Sequence, residues 1–149
     1  MDEEEKVVKH LEMILGVIER MARNSFTLKS WTVALIVASL WLSVRYDGNL
    51  NIILIIIVIT VGFWSLDGYF LRQERLFRKL YDHVRLQENT DFSMCTSLFS
   101  ENSPTAWHTY IGECFTNTLF RFYGLMLSLE LLLLCFFLYK DNVYETCIF

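Results

Sequence analysis

Three apolar stretches dominate the pattern of hydrophobic and polar positions along the chain. The 15 residues between Lys29 and Arg45 carry no charge, and a second uncharged stretch covers the 19 residues 48–66. The third stretch, residues 122–139, is interrupted by a single acid, Glu130. A helix needs about 20 mostly apolar residues to cross a bilayer, and Lys or Arg at its ends can reach the interface. The pattern therefore predicts an all-α integral membrane protein with three transmembrane helices at residues 29–46, 48–66 and 122–139.

Residues 2–23 have the periodicity of an amphipathic helix that precedes the first span. Acids fill its first turn and Arg20 and Arg23 its last, which matches the helix dipole at both ends. Its apolar side chains recur at alternating spacings of four and three, as in a seam that packs on a partner: Val7, Leu11, Ile14, Ile18 and Met21. The chain itself, the membrane surface and a second subunit are all suitable partners for this seam.

Residues 66–86 are predicted to extend the second span as a helix with two different faces. At 100° per residue, one arc holds seven aromatic and aliphatic side chains: Tyr69, Phe70, Leu76, Phe77, Leu80, Tyr81 and Val84. Basic side chains occupy the far side and a neighbouring strip: Arg72, Arg75 and Lys79, then Arg78 and Arg85. One interpretation is a solvated face with pairs such as Glu74–Arg78, whose positive charge sets the topology. The other is a binding surface for an anionic ligand formed by these five cations and concentrated by symmetric copies.

The connection between the second and third spans is polar over residues 87–105 and contains the only proline, Pro104. Ser103 followed by Pro104 is typical of a helix N-cap and first helical position. The pattern predicts a helix that runs from there through Trp107 and Phe115 towards the third span. Residues 67–121 are thus expected to form a helix–loop–helix, and residues 140–149 an outer tail, within one membrane domain.

The distribution of charge predicts the orientation of the spans. Lys and Arg number five in the N-terminal segment and six between the second and third spans, against only Arg45 and Lys140 elsewhere. The cation-rich segments are expected to face the cytoplasm, which places the C-terminus outside. The net charge of -4 does not reveal this distribution, and the predicted binding face within residues 66–86 is basic. The first apolar stretch begins too late for a cleaved signal peptide, so none is expected.

Signatures of enzymes and cofactor sites are missing from the sequence. The six glycines are scattered, so there is no phosphate-binding glycine-rich loop, and no G-x-S-x-G, H-E-x-x-H or C-x-x-C motif occurs. In the predicted topology the four cysteines do not form a disulfide within one chain. We expect a protein that is not an enzyme and that holds no metal or cofactor.

Glu130 is the most informative single residue, since it falls near the midpoint of the third span. An ionised carboxylate there costs at least about 2.5 kcal/mol, so the group must be protonated, paired or facing water. Ser39 and Thr60 lie at a matching depth in the other spans, and Ser128 lies close in sequence. One interpretation is a protonated Glu130 hydrogen-bonded between packed helices. The other is a ring of carboxylates or a pore-facing site in an oligomer.

Three segments carry a recognisable pattern: K-x-x-x-H-L-E-M-I at residues 6–14, N-S-F-T-L-K-S-W at 24–31 and F-W-S-L-D-G-Y-F-L-R-Q-E-R-L-F-R-K-L-Y-D at 63–82. They resemble a widespread group of small bacterial multi-pass membrane proteins, and within it the membrane effectors of the Hailong anti-phage defence system. The resemblance covers the first 90 residues. It implies a homotetrameric channel in the bacterial inner membrane, with a cytoplasmic N-terminus and a periplasmic C-terminus. It also implies a partner nucleotidyltransferase whose oligodeoxyadenylate product keeps the channel shut until infection.

The leading hypothesis is an oligomeric membrane effector that forms a gated ion channel and arrests growth in anti-phage defence. A three-span protomer of this size does not enclose an ion path alone, so a pore needs several copies around an axis. The alternative is a non-conducting membrane anchor or accessory subunit that recruits a soluble cytoplasmic partner.

Overall fold

A computed structural model describes residues 2–46, 50–87, 90–100 and 112–148. Four helices account for most of these residues: α1 (Glu3–Arg45), α2 (Leu50–Val84), α3 (Ser97–Ser100) and α4 (Asn117–Ile148). Residues 112–114 are also helical, and no strand occurs within the described ranges. The predicted all-α class is confirmed.

Three of the helices are long and apolar enough to cross a membrane. The qualifying segments are Glu3–Ser43, Leu50–Val84 and Asn117–Lys140. The third segment contains its predicted span, and the first two overlap theirs, the first ending at Ser43 and the second beginning at Leu50. Each segment also extends beyond its predicted span at one end or both. The prediction of three helices long and apolar enough to span a membrane is confirmed.

Helix α1 is continuous from the amphipathic segment into the first apolar stretch. The intervening residues 24–28 contain neither Pro nor Gly, so nothing in them stops a helix. The Thr27 hydroxyl donates to the Arg23 carbonyl at 2.9 Å, a bond that a polar side chain can make inside a helix. Helix α2 likewise passes without interruption from the second apolar stretch to Val84, as predicted.

The approach to the third long helix differs from the predicted one. A turn at Phe115 and a non-helical Thr116 separate residues 112–114 from α4, so a helix running through Phe115 is wrong. The Phe120 amide donates to the Thr116 carbonyl at 2.9 Å, which makes Thr116 the cap residue of α4. Helix α4 then continues through the predicted outer tail as far as Ile148. The predicted start at Ser103–Pro104 and the stretch through Trp107 and Tyr110 lie outside the described residues.

The chain divides into two compact units. The charged unit comprises Met1–Thr27 and Asp67–Phe115, and the apolar unit comprises Leu28–Leu66 and Thr116–Phe149. In the charged unit the core is formed by Ile14, Leu80 and Val84, with Phe77 and other apolar side chains packed around it. Four residues of the N-terminal seam belong to this cluster: Val7, Leu11, Ile14 and Ile18. Of the three partners considered for the seam, the chain itself is the one it packs on.

The apolar unit has the polarity expected of a protein surrounded by lipid. Large apolar side chains lie on its surface, including Val58 at 71% and Trp41 at 66% exposure. Its buried positions include apolar side chains such as Ile36 and Ile53, together with several polar ones: Thr32, Ser39, Ser43, Thr60 and Glu130. Water-soluble proteins bury apolar residues and expose charged ones. The reverse distribution here fits helices of membrane-crossing length.

Candidate functional site

A hydrogen bond between α2 and α4 lies at the centre of the apolar unit. Thr60 is fully buried and Glu130 is 1% exposed, and the Thr60 hydroxyl donates to Glu130 Oε1 at 2.7 Å. Glu130 Oε2 is also buried and has no hydrogen-bond partner among the described residues. The sequence placed Thr60 and Glu130 at matching depths in two spans, and the structure brings the two side chains into contact. One of the two carboxyl oxygens is thus hydrogen-bonded and the other has no partner within the described ranges.

Helix α1 contributes further buried polar groups to the apolar unit. Thr32, Ser39 and Ser43 are spaced by seven and four residues, which places them on one face of the helix. The Thr32 and Ser39 hydroxyls donate to the backbone carbonyls of Leu28 and Ile36, at 2.9 and 2.7 Å. Ser43 Oγ is buried and has no partner within the described ranges. The helical spacing alone would have found Thr32 and Ser43, which the sequence analysis did not single out.

Ser128 does not join the buried cluster, although it is close to Glu130 in sequence. It is exposed, and its hydroxyl donates to the Leu125 carbonyl of its own helix at 2.7 Å. Two residues along a helix correspond to a rotation of 200°, so Ser128 and Glu130 point to nearly opposite sides. Of the four predicted intramembrane polar residues, the structure buries Ser39, Thr60 and Glu130 and leaves Ser128 outside.

The predicted basic face on α2 is partly neutralised by acids of the same chain. Three of its five cations form ion pairs: Arg75 with Glu113, Arg78 with Glu74 at 2.6 Å, and Arg85 with Asp82 at 3.5 Å. The Glu74–Arg78 pair expected for a solvated helix face is confirmed. Arg72 is half-buried and Lys79 exposed, and neither has an ion pair or hydrogen bond among the described residues. A soluble anion can therefore reach Arg72 and Lys79 without displacing an internal acid.

Residues 112–114 are attached to α2 at two points. Glu113 pairs with Arg75, and Cys114 lies directly against Gly68, where an added Cβ would collide with the sulfur. Glycine at position 68 is thus required by the close approach of the two segments. No pattern in the sequence pointed to this contact, because Gly68 and Cys114 are far apart along the chain.

A second long-range contact joins α1 to the segment that precedes α3. His10 is 1% exposed, and its Nδ1 is hydrogen-bonded to Thr90 Oγ1 at 2.5 Å. The His10 ring also packs against Phe92, with ring centroids 5.6 Å apart. Phe92 has a positive φ of 57°, an uncommon conformation for a bulky residue that places its side chain beside His10. Residues 90–96 therefore present a defined surface in the charged unit.

No metal centre is visible in the described part of the chain. Among those residues no group of three or more His, Cys, Asp or Glu side chains is placed to hold a metal ion. Cys95, Cys114 and Cys135 are not joined to one another by disulfides.

The comparisons with known proteins add no relative: no protein-family profile, curated protein or solved structure matches this chain. The class that the fold defines is therefore an all-helical protein with three helices of membrane-crossing length. Any more particular function rests on the site geometry described above.

Proposed function

We propose that the chain forms a homo-oligomeric gated ion channel in which Glu130 lines the open ion path. The observation that carries the proposal is the buried Glu130 carboxyl group, held at one oxygen by Thr60 and open at the other. Ionisable groups within transmembrane helices are costly and mark ion or proton pathways by default. A hydroxyl or amide would join the two helices at lower cost, so the carboxyl group supports a role beyond packing.

The proposed channel needs several copies of the chain. The interior of the apolar unit mixes buried apolar side chains such as Ile36, Ile53 and Phe137 with the buried polar ones, and three helices are too few to enclose an ion path. A pore on the symmetry axis of an oligomer supplies the path, and opening must then bring the Glu130 carboxyl group out of its place between α2 and α4 to face that axis. The resemblance to small bacterial channel effectors favours a tetramer in the bacterial inner membrane, with the N-terminus cytoplasmic and the C-terminus periplasmic.

Bilayer recording of the purified protein tests the role of Glu130. Wild-type protein is expected to conduct, and Glu130→Gln, which keeps the side-chain volume, is expected to lower cation conductance and cation selectivity. Ser128→Ala is the matched control, because Ser128 lies on the same helix and faces outward. Currents from Glu130→Gln that equal the wild-type currents would exclude Glu130 from the pore. A wild-type protein that never conducts, in bilayers of any lipid composition, would overturn the channel itself.

We further propose that an anionic oligonucleotide gates the channel at the basic face of α2. The support is a pair of cations that have no partner within the described residues, Arg72 and Lys79, which are seven residues apart and so lie on one side of the helix. Arg75, Arg78 and Arg85 contribute positive potential but are already engaged with acids. Oligodeoxyadenylate made by a nucleotidyltransferase is the ligand that the resemblance implies.

Charge reversal at these cations tests the gating ligand. Arg72→Glu with Lys79→Glu is expected to abolish binding of a short oligodeoxyadenylate and to leave oligomer size unchanged. Arg78→Glu with Arg85→Glu is the charge-matched control, with Arg78 on the same helix and Arg85 directly after its last residue, and is expected to weaken binding less. Binding by the first double variant at moderate salt that equals wild-type binding would show that these cations only set topology.

In the bacterial setting, opening of the channel is proposed to depolarise the membrane and arrest growth during phage infection. Expression without the nucleotidyltransferase is expected to collapse the membrane potential, and co-expression is expected to restore growth. Glu130→Gln is expected to reduce the toxicity. Harmless expression at full membrane levels would contradict this role.

The alternative proposal is a non-conducting anchor that recruits a soluble cytoplasmic partner. Two observations favour it. Three cations of the basic face are already paired with acids of the chain, and the His10–Thr90 bond holds the segment before α3 in place. A soluble protein can bind to such a preformed surface. Stoichiometric co-purification of a soluble partner, lost on Thr90→Val and retained on Ser128→Ala, would support the anchor. Conduction by the purified chain alone would reject it.

A further inference from the structure

The charged unit contains a groove between α1 and α2 whose lining combines one cation with apolar side chains. Its volume is about 420 Å³, and it is lined by residues from both helices and from the segment before α3: Arg20, Met21, Tyr69, Gln73, Phe77 and Met94. Arg20 has no ion pair or hydrogen bond among the described residues, and no acid lines the groove. The lining is complementary to a molecule with an anionic head and an apolar body.

The position of the groove along the chain relates it to the membrane. Arg20 and Met21 belong to the last turns of α1 before the apolar unit begins at Leu28, and Tyr69 and Gln73 to the first turns of α2 after it ends at Leu66. Between residues 20 and 46, α1 carries cations but no acid. Anionic lipid headgroups attract this kind of basic segment next to a membrane span.

An exposed aromatic side chain of the groove supports the same location. Tyr69 lines the groove and is 47% exposed. Tyr is enriched at membrane interfaces, where both its apolar ring and its polar hydroxyl are accommodated. An interfacial position fits the exposure of this ring.

A second groove on the same pair of helices provides a contrast. It has a volume of about 370 Å³ and is lined by Leu15, Ile18, Arg78, Tyr81 and Asp82. Its arginine is already paired with Glu74, and its lining contains an acid. Only the groove at Arg20 combines an unpaired cation with an acid-free lining.

We propose that the groove at Arg20 binds an anionic phospholipid, whose phosphate contacts Arg20 and whose glycerol and upper acyl carbons contact Met21, Tyr69 and Phe77. This proposal requires a membrane-embedded chain but not ion conduction. It therefore stands or fails separately from the channel. A bound lipid at this place would connect α1 with α2 and make the stability of the charged unit dependent on membrane composition.

Native mass spectrometry of the full-length protein in detergent tests the lipid site, with phosphatidylglycerol and phosphatidylcholine as probes. Phosphatidylglycerol is expected to bind at about one molecule per chain and about fivefold more tightly than phosphatidylcholine. A preference of this size corresponds to the attraction between one cation and an anionic headgroup. Arg20→Gln is expected to remove this preference and Arg20→Lys to retain it. Arg23→Gln is the control. It removes an equal charge three residues from Arg20, and the Arg23 side chain does not line the groove.

Two outcomes would overturn the lipid site. Equal losses of preference in Arg20→Gln and Arg23→Gln would mean that diffuse surface charge, and not the groove, selects the lipid. Displacement of phosphatidylglycerol by glycerol 3-phosphate or oligodeoxyadenylate at equal concentration would assign the site to a soluble anion. A photoactivatable phosphatidylglycerol is also expected to label wild-type protein at groove residues such as Met94, and labelling elsewhere alone would reject the site.

Discussion

The hydrogen bond between Thr60 and Glu130 makes a quantitative prediction about the stability of the apolar unit. Thr60→Val removes the hydroxyl and nearly preserves the side-chain shape, so its effect reports the bond and not a cavity. Hydrogen bonds between membrane helices contribute about 0.6 kcal/mol on average and at most about 1.7 kcal/mol. A buried polar group left without its partner costs about 1–3 kcal/mol. Because Glu130 Oε2 already lacks a described partner, we expect Thr60→Val to lower the free energy of unfolding by about 1–2 kcal/mol.

A double-mutant cycle separates the bond from other effects of the substitution. Glu130→Leu removes the acceptor, so Thr60→Val in that background is expected to change the free energy of unfolding by less than about 0.5 kcal/mol. Glu130→Gln keeps an oxygen acceptor, so Thr60→Val in that background is expected to remain destabilising. Ser128→Ala is the control, since its hydroxyl bonds only within α4.

Equilibrium unfolding in mixed detergent micelles, followed by tryptophan fluorescence, measures these differences. The coupling energy between positions 60 and 130 is expected to be about 1 kcal/mol. If Thr60→Val has the same effect in all three backgrounds, the two side chains do not interact in the folded protein. That result would also remove the observation on which the channel proposal rests.

Two further predictions concern the charged unit. Gly68→Ala is expected to lower the free energy of unfolding by about 1 kcal/mol, because the collision with Cys114 outweighs the gain in helix propensity. In a Cys114→Ala background the same change is expected to be stabilising, and equal effects in both backgrounds by chemical unfolding would contradict the contact. Ile14→Ala is expected to cost about 2–5 kcal/mol by the same assay, as its side chain is fully buried. The neighbouring Met13, 46% exposed, provides the control, and a Met13→Ala loss as large as that of Ile14→Ala would refute the assigned core.

The hydrophobic pattern was sufficient to predict the helical class, the three long apolar helices and the extension of α2. These features depend on periodicity and on the length of uncharged stretches, both of which are local properties. The apolar seam from Val7 to Met21 was also evident, but its partner was not, since any apolar helix face satisfies the same spacing. The break before α4 was not predicted. The available signal was Thr116 followed by Asn117, because both residue types are preferred at the N-cap of a helix.

Contacts between distant residues could not be derived from the sequence in the same way. The His10–Thr90 and Gly68–Cys114 contacts depend on how helices and connecting segments pack, and neither position has a distinctive local pattern. The orientation of Ser128, in contrast, could have been derived from the sequence, because helical geometry alone places it opposite Glu130. For the cations on α2, local spacing identified the partner of Arg78, which is four residues away. The pairing of Arg75 with Glu113 depends on the tertiary structure, because the two residues are far apart along the chain.

The proposed gate and the proposed ligand surface share helix α2, which carries Thr60 in the apolar unit and Arg72 and Lys79 in the charged unit. If opening breaks the Thr60–Glu130 bond in each of four subunits, four bonds of about 0.6 kcal/mol favour the closed state by about 60-fold. A ligand adds to this bias only through its different affinity for the two states. The two contributions are therefore separable. Loss of the Thr60 hydroxyl should favour opening without altering the intrinsic affinity of either state for the ligand, whereas charge reversal at Arg72 and Lys79 should remove the response to ligand and leave unliganded opening unchanged.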